Sequence, residues 1–532
     1  MMKKKNLQNG QDKENNTGEK KSNVKRRTLL KALAGIPVLG VFAFELFNKR
    51  SYDLEKKNRI LKELELDNLN VPVIKPSSGD KRDLLRVGLI GFGNRAVSHA
   101  NGLGYMHPED VEKRKSNGTL EDWLAQEDLN IALTGICDVF DLHADRGLAT
   151  ARNILRPGGG KAADLPVKRY RTYQEMIEDK AVDAVMIATP DHNHAPIAVA
   201  AARAGKHVYC EKAPCHSEEQ MNDVYNAVKT SKIVYQLGHQ VPQSVVFQQA
   251  RDIIKKAILG KITLIETTTN RNTADGAWIR HLDANGNPKP GDEKTIDWGQ
   301  WLGPAPRVPF SLDRFYNWTK FFDYDIGLIG QLFTHEFDAV NQLLRIGIPR
   351  SVVSSGGIYY WKDNREMADL LQCVFEYPDH ELTLLYSASL ASSRNRGRVF
   401  MGHDASMELG DAINITVDGD STRYKKQIDA GIMDPSGPMI SFNPNLGKID
   451  AVTSATEKYY AARGLTTTNI NGRQVDVTYL HIREWINCIR NGGIPSANIE
   501  MAFDEGITCM MAHKAYVEKR RVEWDPANRK IV

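Results

Sequence analysis

The stretch that most constrains this chain is Arg86–Ala96, RVGLIGFGNRA. Leu84–Ile90 is an apolar run of strand length, and Gly91-Phe-Gly93-Asn94-Arg95-Ala96 comes directly after it, ahead of a helical pattern. This is G-x-G-x-x-A between a strand and a helix. The first glycine permits a tight turn, the second lets backbone approach a pyrophosphate, and the small third residue lets helix pack on strand. The helix N-terminus then offers unpaired N–H groups to an anion. Gly91, Gly93, Asn94 and Arg95 are therefore candidate dinucleotide contacts. A glycine-rich turn with no ligand is the competing account of the same residues.

The rest of this half of the chain favours the first account. After a polar insertion around residues 105–128, Ile131–Cys137 reads as a second strand ending at Asp138. An acid there can accept the ribose hydroxyls, which favours NAD over NADP; it can equally cap the next helix. Asp183–Thr189 is a third buried strand, Pro196–Ala204 a helix and His207–Cys210 a strand. Residues 217–230 form a helix and Ile233–Leu237 a strand. Strands alternating with helices imply right-handed crossovers and a parallel sheet.

Ligands bind such sheets beyond the C-terminal strand edge, and two informative stretches fall there. Thr189-Pro190-Asp191-His192-Asn193-His194 comes after one strand. Its H-x-H lacks an evident third ligand, so a cofactor wall or helix cap is expected and no metal. Glu211-Lys212 comes after another. A lysine beside a bound nicotinamide can hydrogen-bond a substrate hydroxyl; on spacing alone it can also be an exposed residue opening a helix. The six cysteines form no C-x-x-C pair. Cys137, Cys210, Cys373 and Cys488 lie in apolar runs and read as buried free thiols.

The chain has 532 residues and a net charge of +4. Residues 1–50 hold twelve Lys/Arg against four Asp/Glu, so the other 482 carry a net −4. No basic surface remains to neutralise phosphates, which argues against nucleic acid as a partner. Lys25–Lys31, KRRTLLK, resembles the twin-arginine export motif through Arg26, Arg27, Leu30 and Lys31. The apolar run Ala32–Phe47 behind it is short for a membrane span and suits a signal core or an uncleaved anchor. Residues 1–50 are thus expected to act with the export machinery, residues 51–83 to form a stalk and linker, and the body to stand on the periplasmic side.

The TPDHNH segment, together with Ala204–Lys212 (AGKHVYCEK), closely resembles the glucose–fructose oxidoreductase and inositol dehydrogenase family (Gfo/Idh/MocA). Ala213 stands where that family's E-K-P has its proline. Asp297–Pro306 (DWGQWLGPAP), Phe322–Asp338 (FDYDIGLIGQLFTHEFD) and the closing segment from His481 to Pro526 resemble one branch of it. The resemblance implies a Rossmann domain over residues 84–240. Residues 241–532 would form a substrate-binding α+β domain on a mostly antiparallel sheet, also an expected surface for self-association. It implies Thr189, Pro190, His194 and Glu211 at the cofactor, Lys212 and His335 as catalytic pair, and Trp301, Tyr324, Gln331 and Asp338 at the substrate. A helix is expected to carry residues 331 and 335 on one face. Gln331 replaces the acid or asparagine of the pattern and cannot add negative charge.

Three functions fit. One is hydride transfer between NAD and a secondary alcohol of a sugar, glycoside or cyclitol. Another is glycoside hydrolysis or elimination through transient oxidation. The third is a binding protein that has lost its chemistry, for which Gln331 is the main support.

Overall fold

A computed structural model describes residues 84–152, 165–274, 289–442, 467–470 and 473–532, together with Glu55, Arg59, Ile60, Lys62 and Leu64. The chain divides into two units, Met1–Glu63 and Leu64–Val532. In the first, Glu55, Arg59, Ile60 and Lys62 are helical. The export motif, its apolar run and the linker lie outside the described residues. Among the described residues no helix is long and apolar enough to cross a membrane.

The second unit opens with β1 (Leu85–Ile90), β2 (Ile131–Cys137), β3 (Lys168–Tyr170), β4 (Ala184–Ile187), β5 (His207–Cys210) and β6 (Tyr235–Leu237). They form one sheet in the order β3-β2-β1-β4-β5-β6, every neighbour parallel. All seven residues of β2 are buried, as a parallel strand covered on both faces requires. The helices α1 (Asn94–Leu103), α2 (His194–Arg203) and α3 (Glu218–Thr230) are among its crossovers. α2 buries Ala195, Ala198, Ala201 and Ala202, three and four residues apart, so a flat face of methyl groups lies on the sheet. Strand order reverses between β1 and β4, which leaves a crevice beyond their C-terminal ends.

The second sheet has ten strands: β7 (Ile262–Thr268), β8 (Ser351–Gly357), β9 (Leu370–Tyr377), β10 (Leu382–Ser389), β11 (Arg398–Gly402), β12 (Ala405–Leu409), β13 (Ile413–Val417), β14 (Ile440–Phe442), β17 (Val522–Asp525) and β18 (Lys530–Ile531). Its pairs are antiparallel except β7 with β10. β10, LTLLYSAS, alternates buried and half-buried residues along its length, the period of a strand with one face on a core. This is the Rossmann sheet with an α+β partner that the sequence implies.

Three later helices join the halves. α4 (Thr334–Leu344) and α6 (Ile499–Glu518) pack together, and α6 lies against both β8 and α3. α5 (Val477–Asn491) comes after a hairpin of β15 (Thr467–Ile470) and β16 (Arg473–Asp476) and packs on α1. Ile482, Trp485 and Ile486 enter the same core as Val87, Leu89, Ala96 and Ala100. The crossing is close at Gly102, where a Cβ would meet Ile482 Cδ1 at 2.8 Å. The end of the chain thus returns to roof the first strand–turn–helix.

Candidate active site

A cleft of about 390 Å³ opens at the sheet's reversal point. Gly91, Gly93, Asn94, Arg95, Asp138, Thr189, Pro190, His194, Glu211 and Lys212 line it from the first half. Trp301, Gln331 and His335 line it from the second, and Asp476 and Thr478 from the segment that roofs α1. The residues proposed from sequence thus converge on one cavity, apart from Tyr324 and Asp338.

The glycine turn has the geometry a dinucleotide needs. Gly91 has φ +81°, and a Cβ there would lie 2.7 Å from the Ala188 carbonyl oxygen. Only glycine allows both the left-handed conformation and the close approach of β1 to β4. A Cβ on Gly93 would meet nothing within 4 Å, so that side of the turn is open space at the start of α1. Thr189 Oγ1 and Arg95 Nη2 are buried with no hydrogen-bond partner, and both residues face the cleft. An open cradle with two orphaned donors fits a pyrophosphate-bearing cofactor.

Asp138 holds the turn while facing the cleft. Its Oδ2 accepts the Phe92 N–H at 2.5 Å and its Oδ1 the Phe140 N–H at 2.8 Å. Each carboxylate oxygen has a second lone pair, so capping and a ribose contact are compatible. The nearby Arg169 and Arg171 both pair with Asp141.

Glu211 anchors the wall. Arg95 Nε donates to its Oε1 at 2.8 Å, and His99 Nε2 lies 2.8 Å from the same atom. Burial alone would raise this carboxyl, but the Arg95 guanidinium and His99 hold it well below the usual carboxylate range. Arg95 therefore spends its charge on Glu211. His194 is tied by both ring nitrogens, Nδ1 to the Ala213 carbonyl and Nε2 to the Thr189 carbonyl, each at 2.7 Å. It clamps the two strand-end loops together. His192 Nε2 lies 2.9 Å from the Trp301 carbonyl. The H-x-H is thus a structural clasp.

Residues 331 and 335 do not share one α-helix. Ile329–Phe333 is wound as a π-helix, and α4 begins at Thr334. The wider turn changes how its carbonyls are satisfied: Lys212 Nζ donates to those of Gly330 (3.3 Å) and Gln331 (3.2 Å). This binds the lysine of the first half to the helix of the second and brings it to His335. His335 lies well below its ordinary pKa because of burial and the Lys212 charge. It is neutral near pH 7 and able to accept a proton.

Position 331 itself is uncharged, but two carboxyl groups stand beside it. Gln331 Nε2 donates to Asp191 Oδ2 at 3.2 Å and Asp325 Oδ1 at 3.1 Å. Both carboxyls are raised, chiefly by burial, with the Asp325 charge adding to the effect on Asp191. Each lies in a stretch the sequence singled out, TPDHNH and FDYDIG, but nothing local says that they meet.

Two residues expected at the substrate sit elsewhere. Tyr324 is fully buried, its hydroxyl accepting from Arg314 Nη1 at 3.1 Å and its ring against Trp301 and His192. It packs behind Trp301 because the aromatic cluster of Phe140, Trp301, Phe315 and Trp318 needs a centre. Asp338 is buried one turn beyond His335, where Gln342 Nε2 donates to it at 3.3 Å. In their stead Phe315, Tyr316, Trp318 and Lys289 reach the cleft. These come from segments with no motif, so sequence offered no signal for them.

Residues 85–239 match the family model described as oxidoreductase family, NAD-binding Rossmann fold (GFO_IDH_MocA). Among curated proteins, a levoglucosan dehydrogenase of Pseudarthrobacter phenanthrenivorans is 29% identical over 187 residues, 35% of this chain and 41% of that protein. A glycosyl hydrolase family 109 protein 1 of Shewanella sp. (strain ANA-3) is 28% identical over 191 residues, 36% of this chain and 33% of that one. The chain spans well under half the length of these relatives. A solved levoglucosan dehydrogenase, in complex with NADH and levoglucosan, superposes with a TM-score of 0.54 at 16% identity, covering 83% of this chain and 99% of that one; it shares the fold. Residues 85–239, the half that holds the glycine turn and Lys212, are thus similar to the NAD-binding Rossmann domain of the Gfo/Idh/MocA oxidoreductase family.

Proposed function

We propose that the protein transfers hydride between tightly held NAD and a secondary alcohol of a sugar, glycoside or cyclitol. The observation that carries this is the meeting of Lys212 and His335 in the cleft beside the GFGNRA turn. When bound, the nicotinamide supplies a hydride acceptor. The chain supplies the rest. Neutral His335 takes the hydroxyl proton. Lys212 keeps donors in excess of its two carbonyl contacts and turns one to the substrate oxygen. The buried Asp191–Asp325 pair accepts from Gln331 and holds it in place beside Lys212. Trp301, Phe315, Tyr316 and Trp318 give an apolar wall for a sugar face, with few polar groups to orient it. The Asp138 carboxylate, with Arg169 and Arg171 already paired, favours a ribose 2′-hydroxyl over a 2′-phosphate.

KRRTLLK and the run after it support export of the folded, cofactor-loaded chain, to stay periplasmic or anchored there. Outside the cytoplasm no soluble nicotinamide pool replaces a lost cofactor, so each turnover must restore it. Two substrates in alternation would do this. Oxidation, elimination and re-reduction on one glycoside would also do it, a reading favoured by the likeness to the Shewanella glycosyl hydrolase family 109 protein.

The test starts with the full chain and mass spectrometry of its released nucleotide. Lys212→Met and His335→Ala should keep that nucleotide yet lose turnover by roughly 100-fold or more, on a panel of anhydrosugars, glycosides and cyclitols read by NADH fluorescence. Bound nucleotide with unimpaired variants would leave only a binding role. Substrate cleavage without net NADH change would favour the hydrolytic cycle.

A further inference from the structure

Beneath His335, on the side away from the cleft, three ionisable side chains from three elements converge. His239 lies just past β6, Asp338 on α4 and Glu505 on α6. Their exposures are 0%, 2% and 1%. One ligand atom from each lies within 4.8 Å of the other two. The group is poorly satisfied by protein alone. His239 Nδ1 and Nε2, Asp338 Oδ2 and both Glu505 carboxyl oxygens are buried without a hydrogen bond, although His239 Nε2 stands 2.7 Å from Glu505 Oε2. Buried polar atoms are nearly always paired. Besides that close pair, His239 Nδ1, Asp338 Oδ2 and Glu505 Oε1 are left unsatisfied, and three such atoms in one place mark a position where something polar belongs.

We propose that His239, Asp338 and Glu505 form a buried site for one divalent transition-metal ion of the zinc or manganese type. One imidazole and two carboxylates are a donor set such ions accept, with ligand atoms about 2.0–2.2 Å from the metal. Atoms already this close need only small rotations to reach those distances. The two carboxylate charges balance the ion, and a site so closed suits a structural role. His239 belongs to the Rossmann half and the other two to the second half, so the ion ties the halves together. The His239 ring also meets the His335 ring edge to face, at a centroid separation of 5.3 Å. Fixing His239 therefore fixes His335, which makes the metal ligands positioning residues for the cleft. The same geometry explains why Asp338 turns away from the substrate.

The experiment uses untagged full-length protein expressed with zinc and manganese in the medium. Elemental analysis should find about one such ion per chain. Prolonged chelation should lower the melting temperature, and adding back zinc or manganese, but not magnesium, should restore it. Asp338→Asn should reduce the bound metal by roughly tenfold with NAD still present. If that variant fails to fold, chelation and add-back on wild-type protein decide alone. Wild-type protein with less than about 0.1 ion per chain and no melting shift on chelation or add-back would overturn the proposal; the three groups would then share protons among themselves.

Discussion

Asp191 and Asp325 offer a perturbation whose size is set by their surroundings. Both are buried and both face Gln331 Nε2. Asp191 is pushed up to about 8 and Asp325 to about 7, in each case chiefly by burial. In the unfolded chain each titrates near 3.9. Between those limits the native state binds more protons than the unfolded state, so stability is highest at low pH and falls as pH rises through the native values. Counting only one retained proton, the slope is about 1.4 kcal/mol per pH unit, or roughly 3 kcal/mol between pH 5.5 and 7.5. Asp325→Asn keeps an oxygen to accept from Gln331 and the Ile326 N–H, but removes the titration. Its unfolding free energy should fall by roughly 2–3 kcal/mol less than that of the wild type over the same range. Another buried acid with a raised value, Asp504, contributes equally to both proteins and cancels. Urea denaturation monitored by tryptophan fluorescence at pH 5.5, 6.5 and 7.5 reads the difference. Parallel pH dependences would show that the pair is ionised in the native state and that the reasoning is wrong.

Gly91→Ala should weaken NADH binding at least tenfold by fluorescence titration, because the left-handed turn and the Ala188 carbonyl leave no room for a methyl group; unchanged affinity would separate this turn from the cofactor. Asp138→Ala should weaken NAD more than NADP, and an equal loss would remove its ribose role. Arg398→Met takes away the cation 2.9 Å from fully buried Glu336, and should destabilise by about 3–5 kcal/mol in chemical denaturation. Gly330→Ala sets a Cβ 2.7 Å from Ile326 and 3.0 Å from Asp325 Oδ1, and should cost about 1–3 kcal/mol while disturbing the π-turn that Lys212 holds.

What sequence disclosed here depends on distance along the chain. The strands and helices of the first half were legible because each carries its own signal: apolar runs of four to seven residues, an alanine face, a glycine turn. β3 was missed because Lys-Arg-Tyr has neither length nor apolar character, and only its ladder to β2 makes it a strand. The motif residues of the first half meet in one cleft, since sheet topology forces strand ends to a common edge, whereas Tyr324 and Asp338 of the second half stay out of it. Their individual roles were less legible. Arg95 and Glu211, both read as cofactor contacts, neutralise one another across 116 residues. The helix holding Gln331 looked regular, because a π-turn adds no residue type that marks it. Gln331 itself looked like a loss of charge when read alone. It is the donor between two acids, one 140 residues earlier and one six residues earlier. A polar substitution at an acidic position can thus report that the carboxyl group has moved to a neighbour, and only the partners it contacts distinguish that from decay. A binding protein without chemistry loses its main support in the same way: with Asp191, Asp325, Lys212 and His335 gathered at one helix turn, Gln331 no longer points to it.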